Sequence, residues 1–352
     1  MVGLVTSRKV GLHAKRGSRR AGARLALIFA FALSCLPGAL GAQTAKAGPA
    51  ILASEGLESR YGSAYSYVYE GAQGDTLSEL VWDLKPILGL RSRIELRYGD
   101  FDFMVSAFLG LPGNSGVVED SDWQNLSLGD TTTKTNFSRS PVRSEHLIDT
   151  EAMAGWSFRV LPGLALHPSL AVRLVDLAWS AADGTLQYAD NIGNATPPYH
   201  PYTTGSIDPL YGLLSTYSQS YTLVVFGLSI IWQPTPGLWF EPVILMSPFL
   251  GAKAIDHHIL RSLIFTDTFK EGLVIEPGLA ATWQAGGGFL LRGRAGFTWI
   301  DCPLGDETVF GSTGVDPVAE GINPGQKESY AATVGAALHS ASLGLELVLK
   351  LR

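Results

Sequence analysis

Arg91-Ser-Arg-Ile-Glu-Leu-Arg-Tyr98 decides the architecture of this chain. Arg91, Arg93, Glu95 and Arg97 occupy every second position, and Ile94, Leu96 and Tyr98 fall between them. A period of two belongs to a β-strand, whose side chains point alternately to its two faces; here the faces have opposite chemistry. Gly99-Asp100 breaks the pattern and Phe101 resumes it, so a tight turn joins this strand to the next. Similar alternation occurs in Ser63–Tyr69, Leu290–Trp299 and Leu343–Leu351.

The breaks between such segments are of two kinds. Tyr98–Phe101, Leu161–Gly163, Gln233–Gly237 and Ala285–Gly287 are tight, whereas roughly 113–144, 189–209, 255–270 and 302–325 are long and polar. Short turns at one end and long loops at the other describe an all-β, antiparallel transmembrane barrel with long extracellular loops. Trp82, Trp156, Trp232, Trp239, Trp283 and Trp299 lie near strand ends, as interfacial girdles require. Strands are expected near 57–71, 75–98, 101–112, 145–161, 164–187, 210–232, 238–256, 258–283, 288–301 and 327–339, ten in all. A closed ring leaves no backbone unpaired in lipid. Leu343–Leu351 is left over from this count. A soluble β-sandwich, the competing architecture, does not call for such long strands or for alternating short and long connections.

The chain has 352 residues and a formal charge of −6, but its charge is unevenly spread. Residues 1–42 hold seven cations and no acid, which leaves 19 cations against 32 acids, about −13, in the remainder. Broad phosphate neutralisation, and with it nucleic-acid binding, is excluded on that balance. The basic stretch to Arg24, the apolar Leu25–Leu33 and the small residues around Ala39–Ala42 have the order of a secretory signal peptide. A membrane anchor is the alternative, and Ala32-Leu-Ser-Cys35 loosely resembles a lipobox that would lipidate Cys35. The expected division is a leader over 1–42, an N-terminal segment over 43–56 and one barrel over 57–352. After the leader only Cys302 remains, so no intramolecular disulfide can form. No run beyond residue 42 reaches the length of a transmembrane helix.

Two loop-end clusters combine titratable groups. In extended chain Asp120 and Asp122 share a face, as do Asp256 and His258, with His257 opposite. Histidine is the side chain best suited to take a proton near neutral pH, and a carboxylate two residues away can fix its tautomer. Two further carboxylates across the barrel mouth could hold a water, their mutual repulsion raising one pKa. A water between an Asp–His couple and an Asp–Asp couple is a nucleophile for amide hydrolysis. Solvated loop acids are the plainer reading of the same strings, and His257–His258 could instead bind a metal.

The chain resembles the omptins, outer-membrane aspartic-type endopeptidases, through several pieces in order. Val68-Tyr69 and Ser78-Glu-Leu-Val-Trp82 resemble the family's first strand and Ser-x-Leu-x-Trp segment. Asp120-Ser-Asp-Trp123 resembles its Asp-x-Asp-Trp, and Thr135-Asn-Phe-Ser-Arg-Ser-Pro141 the loop that follows. Gly155-Trp156 and Asp256-His-His258 match its Gly-Trp and Asp-x-His. The resemblance spans roughly 57–340 and implies a ten-stranded barrel. In it Asp256 and His258 activate a water and Asp120 and Asp122 complete the catalytic set, with no cofactor or metal. It implies peptide or protein substrates at the cell surface and integration in outer-membrane lipid.

The chain also departs from the family. Substrate-binding acids implied by the resemblance fall at Ser66, Ala254 and Asn136, none of which is acidic. Cleavage between paired basic residues is therefore not expected, because a buried cation would lack counter-charges; a neutral or small residue ahead of the cut is expected instead. The family's lipopolysaccharide site is not recognisable around Arg173–Asp176, so dependence on that lipid is not implied. Beside the endopeptidase stand two other readings. One is a catalytically altered barrel with a structural or adhesive role; the other is a porin, disfavoured because ten strands enclose a narrow, side-chain-filled bore.

Overall fold

A computed structural model describes residues 49–351 other than 71–73, 194–196 and 287. The leader expected over 1–42, with Cys35, lies outside the described residues. Thirteen strands form one antiparallel sheet: β1 (Ala50–Tyr69), β2 (Thr76–Tyr98), β3 (Phe101–Gly110), β4 (Gly113–Asp122), β5 (Asn136–Trp156), β6 (Phe158–Leu161), β7 (Leu164–Tyr188), β8 (Ile207–Thr235), β9 (Leu238–His258), β10 (Leu263–Phe269), β11 (Leu273–Gly286), β12 (Phe289–Gly311) and β13 (Lys327–Lys350). β3 and β4 are successive halves of one stave between β2 and β5, and β10 and β11 are halves of another between β9 and β12. The short β6 extends β5 along β7. Ten staves result, and β1 pairs with β13 from Leu52↔Lys350 to Val68↔Val334, which closes the ring.

That closure accounts for the leftover segment. Residues 343–350 belong to β13, which runs unbroken through Ser340-Ala-Ser-Leu-Gly344, a stretch of mostly small residues that reads as a break in sequence. The first strand likewise starts at Ala50, earlier than the expected 57, and pairs along its whole length with β2 and β13. The tight connections fall where expected, at 99–100, 162–163 and 236–237, and β11 ends at Gly286 shortly before β12 starts at Phe289.

Two segments expected as long loops are largely strand instead: 113–122 is β4, and β12 continues to Gly311; 263–269, where the expected loop near 255–270 overlapped the expected strand 258–283, is β10. The β9–β10 connection is only 259–262. These segments are polar because they stand at the long-connection end of the barrel, where the outer face meets water.

The outer surface of the other half is apolar, with Leu90, Ile94, Leu96, Leu170, Val172 and Leu345 among its exposed side chains. Trp156, Trp232 and Trp283 are exposed beside the short turns. Trp82 is not a girdle residue: it is fully buried, stacked on Tyr217 with ring centroids 5.0 Å apart and 6.1 Å from Trp179. Its place in the alternation points it inward, and proximity to a strand end does not reveal that.

Inside the apolar half the bore is filled by charge. Arg173 donates from Nε and Nη2 to Asp149 at 2.7 and 2.8 Å, and Arg60 reaches the same carboxylate at 2.6 Å. Glu58 binds Arg60 and Arg91, Glu276 binds Arg173, and Glu95 is held by Arg93 and Arg97. Lipid outside and paired ions inside invert the soluble pattern, as membrane barrels do. Gly155 serves this packing, since a Cβ there would sit 2.1 Å from Nε2 of His167, which is hydrogen-bonded to Asp102 at 2.6 Å.

Candidate active-site groove at the long-loop end

Asp120 and Asp122 end β4, and Asp256 and His258 end β9, so both couples stand at the long-loop end of the barrel. Strand alternation turns each couple into the interior, as the spacing expects. It also puts His257 and His258 on opposite faces of β9, so these two cannot grip one metal ion through that pairing.

His258 Nε2 lies 2.9 Å from Asp256 Oδ2, and the other oxygen of Asp256 accepts from Ser215 Oγ at 2.6 Å. Ser215 is the register partner of His258 on β8. Asp256 is buried and its carboxylate accepts a hydrogen bond from Nε2–H, which leaves Nδ1 as the unprotonated nitrogen of the neutral ring. Phe265 packs edge-on against the imidazole, with ring centroids 5.2 Å apart.

On the facing wall the carboxylates are held by donors from β2 and β5. Ser78 Oγ donates to Asp120 at 3.4 Å, and Asn136 Nδ2 donates to Asp122 Oδ2 at 3.0 Å. Thr135 fixes the chain where β4 turns into its loop: its N–H and its hydroxyl both donate to Asp122 O, at 2.8 and 3.0 Å. Trp82, Trp179 and Tyr217 pack beneath the groove as one aromatic cluster.

The two walls sense each other electrostatically. Burial, and then the adjacent charge of Asp122, push Asp120 up to about 8, while His258 pulls in the opposite direction. Burial also raises Asp122, against the hydrogen bonds from Ser78 and Asn136. Burial works against a charged imidazole, but the charge and hydrogen bond of Asp256 outweigh it and hold His258 above its ordinary value. At neutral pH the Asp120–Asp122 couple therefore retains a proton.

The three positions expected to bind substrate fare differently. Asn136 is buried and engaged with Asp122, so it positions a carboxylate of the groove. Ser66 is buried on the inner wall near the Tyr217 hydroxyl. Ala254 is buried one inward step below Asp256 on β9. Sequence reading missed Ser215, a lone serine in a Ser/Thr-rich strand with no motif around it. It also missed Asp267 and Glu307, which face the interior from β10 and β12; Glu307 fell in an expected loop, and Asp267 where the expected loop near 255–270 overlapped the expected strand 258–283.

The Omptin family model matches residues 51–290. Among solved structures, the outer membrane protease OmpT from Escherichia coli aligns with a TM-score of 0.75 at 12% identity, over 88% of this chain and 99% of that one. The attachment invasion locus protein Ail of Yersinia pestis aligns with a TM-score of 0.26 at 8% identity, over 86% of this chain and 100% of that one. None of the curated proteins matches the sequence. The first alignment bears on fold: a barrel of the same construction, with nearly the whole of that chain accounted for.

Proposed function

Because the chain belongs to the omptin family, an outer-membrane protease family, we propose that this integral outer-membrane barrel is an endopeptidase whose groove faces the cell exterior. The observation that carries this reading is the pairing across the groove: His258, hydrogen-bonded to the buried Asp256, is within electrostatic reach of Asp120, which burial and the charge of Asp122 push up to about 8.

The chemistry follows from those groups. Nδ1 of His258 takes a proton from a water lodged between the walls, and the water oxygen attacks the peptide carbonyl carbon. The protonated Asp120–Asp122 couple donates a hydrogen bond to the carbonyl oxygen as it gains negative charge. Collapse of the tetrahedral species breaks the C–N bond, and the imidazolium returns its proton to the leaving nitrogen. Asp256 stabilises the imidazolium in between, and Ser215 keeps Asp256 oriented. Substrates are peptides or proteins at the cell surface.

The test is cleavage of a diverse peptide library by the refolded barrel, beside His258→Ala and Asp120→Asn. General acid–base groups contribute about 10²–10⁴-fold, so a loss of that size is expected in each variant. Folded variants that cleave at the parental rate would overturn the mechanism. A parent that cleaves nothing would select the alternative, a catalytically altered barrel with a structural or adhesive role.

A further inference from the structure

Arg173 shows how this fold fills both edges of a guanidinium. Its Nε and Nη2 hold Asp149 at 2.7 and 2.8 Å, and its Nη1 holds a second carboxylate, Glu276. Arg91 is filled in the same way, with Glu58 on Nε and Nη2 and Ser106 on Nη1. Arg261, in the β9–β10 turn at the mouth of the groove, has only the first half of that arrangement. Its Nε donates to both oxygens of Glu320 at 3.0 Å and its Nη2 to one of them, while Nη1 has no partner among the described residues. The side chain of Arg261 is 49% exposed and that of Glu320 only 12%, so the half-filled edge is the accessible one.

The turn that carries Arg261 is fixed. Ile259 N–H donates to Leu214 O at 2.9 Å, and the N–H and hydroxyl of Ser312 both donate to Ser262 O, at 2.9 and 2.8 Å. Leu263 packs with Val315 and Ile322 of the β12–β13 connection, whose helical turn Pro317–Glu320 delivers the partner carboxylate. The guanidinium carbon lies 5.8 Å from the centre of the Phe265 ring, and that ring lies 5.2 Å from the imidazole of His258. One aromatic ring thus separates the unpartnered N–H groups from the proposed general base. Beside burial and their own hydrogen bonds, Asp122 and His258 both feel the charge of Arg261, as does Tyr188 at the end of β7. The guanidinium is therefore within electrostatic reach of both walls.

We infer that Arg261 is a specificity residue, whose Nη1 edge binds a carboxylate of the peptide that lies in the groove. The subsite rests on the endopeptidase reading for its substrate, but its recognition chemistry is separate from catalysis. An extended peptide advances about 3.3 Å per residue, so the carboxylate belongs to an aspartate or glutamate within about three residues of the scissile bond, or to a chain terminus at that distance. Charge-assisted bonds from a planar fork are among the stronger polar contacts, and a fork already held on its other edge loses little freedom when it binds. Glu320 offsets part of the positive charge, so the directed N–H groups carry the recognition more than the net field does. Arg173, with two carboxylates on one guanidinium, has the completed form of the same contact. The groove walls are otherwise lined by Asp120, Asp122 and Asp256, so an acidic residue is accepted at the position Arg261 reaches and disfavoured elsewhere.

Binding to the Asp120→Asn barrel in detergent separates recognition from cleavage and leaves the contact between Phe265 and His258 in place. Fluorescent, carboxyl-amidated Ala/Gly octapeptides carry one glutamate, or its uncharged isostere glutamine, at each position in turn, and fluorescence anisotropy reads the affinity. A second series without acidic side chains ends in a free carboxylate or its amide. At one position glutamate should bind at least tenfold more tightly than glutamine; a tenfold preference confined to the second series assigns the site to a chain terminus. Adding Arg261→Gln should reduce the preference below twofold, with heat-modifiable gel mobility showing that the barrel still folds. Arg261→Lys keeps the charge, loses the fork and should fall between the two. Equal affinity throughout, no binding of any peptide, or a preference that survives in full in either Arg261 variant overturns the subsite. If the parent cleaves peptides without a carboxylate preference, the subsite fails and the endopeptidase stands. If the preference holds and the parent cleaves nothing, the endopeptidase fails and the subsite stands.

Discussion

The two halves of this barrel treat buried charge in opposite ways. In the lipid-embedded half, Asp149 receives Arg60 and Arg173 at 2.6–2.8 Å and the interior acids around it have their own arginines. In the half that carries the long connections, Asp120, Asp122, Asp256, Asp267 and Glu307 face the interior with His258 as the one ion-pair partner among them in the described structure. The first arrangement lowers the cost of burying ions and lets a narrow bore be filled without a hydrophobic core. The second keeps that cost, and a folded chain retains such strain where chemistry or a ligand makes use of it.

Removing one carboxylate from each half is the strongest way to break this contrast. Asp149→Ala leaves Arg60 and Arg173 without their shared anion, and breaking a buried pair costs about 3–5 kcal/mol. Urea unfolding of the detergent-solubilised barrel should show that loss; a change below about 1 kcal/mol would mean the ion network is not what holds the bore. Glu307→Gln should do the reverse. Burial pushes Glu307 up from 4.5 to about 7, so the folded state binds more protons than the unfolded state between those values. Parental stability therefore falls as pH rises through that window, by up to about 1.4 kcal/mol per unit for a single proton. In Glu307→Gln that contribution should vanish, leaving a flatter pH dependence; an unchanged slope would remove Glu307 from the uncompensated set.

Activity sharpens the contrast further. His258 must be neutral to accept a proton and its pKa is held above the ordinary 6.5, so kcat/KM should rise with pH on the acid side, tenfold per unit, with a midpoint above 6.5. It should fall again above about 8 as Asp120 gives up the proton of the couple. A profile flat from pH 5 to 9 contradicts both assignments. The smallest effect expected is that of Asn136→Ala, which removes one donor from Asp122 and should cost about 1–3 kcal/mol in kcat/KM, with KM changing less than kcat. An effect on KM alone would make Asn136 a substrate contact and not a positioning residue.

Legibility in the sequence follows the same division. In the lipid-facing half, outside and inside differ so sharply that Arg91–Tyr98 shows its two faces residue by residue, and the short turns at Gly99, Gly163 and Gly237 are unambiguous. At the other end both faces can be polar, so β4 and the end of β12 read as loop although each is hydrogen-bonded strand, and β10 fell where an expected loop and an expected strand overlapped. That misreading hid Glu307, and neither it nor Asp267 has alternation around it that marks an inward side. Trp82 failed for a related reason: an aromatic near a strand end can anchor in the interface or stack in the core, and only its phase relative to Tyr217 and Trp179 decides.

By itself the sequence determined the antiparallel barrel, its ten staves, and the shared faces of Asp120 with Asp122 and of Asp256 with His258, because all of these follow from a period of two and from turn chemistry along one strand. What only the tertiary structure decided is what meets across strands: Ser215 on Asp256, Asn136 on Asp122, β13 closing on β1, and Glu307 opposite Asp267 with no cation between them. Register and ring closure set those meetings over separations of up to about 300 residues, and no local pattern in the chain encodes them.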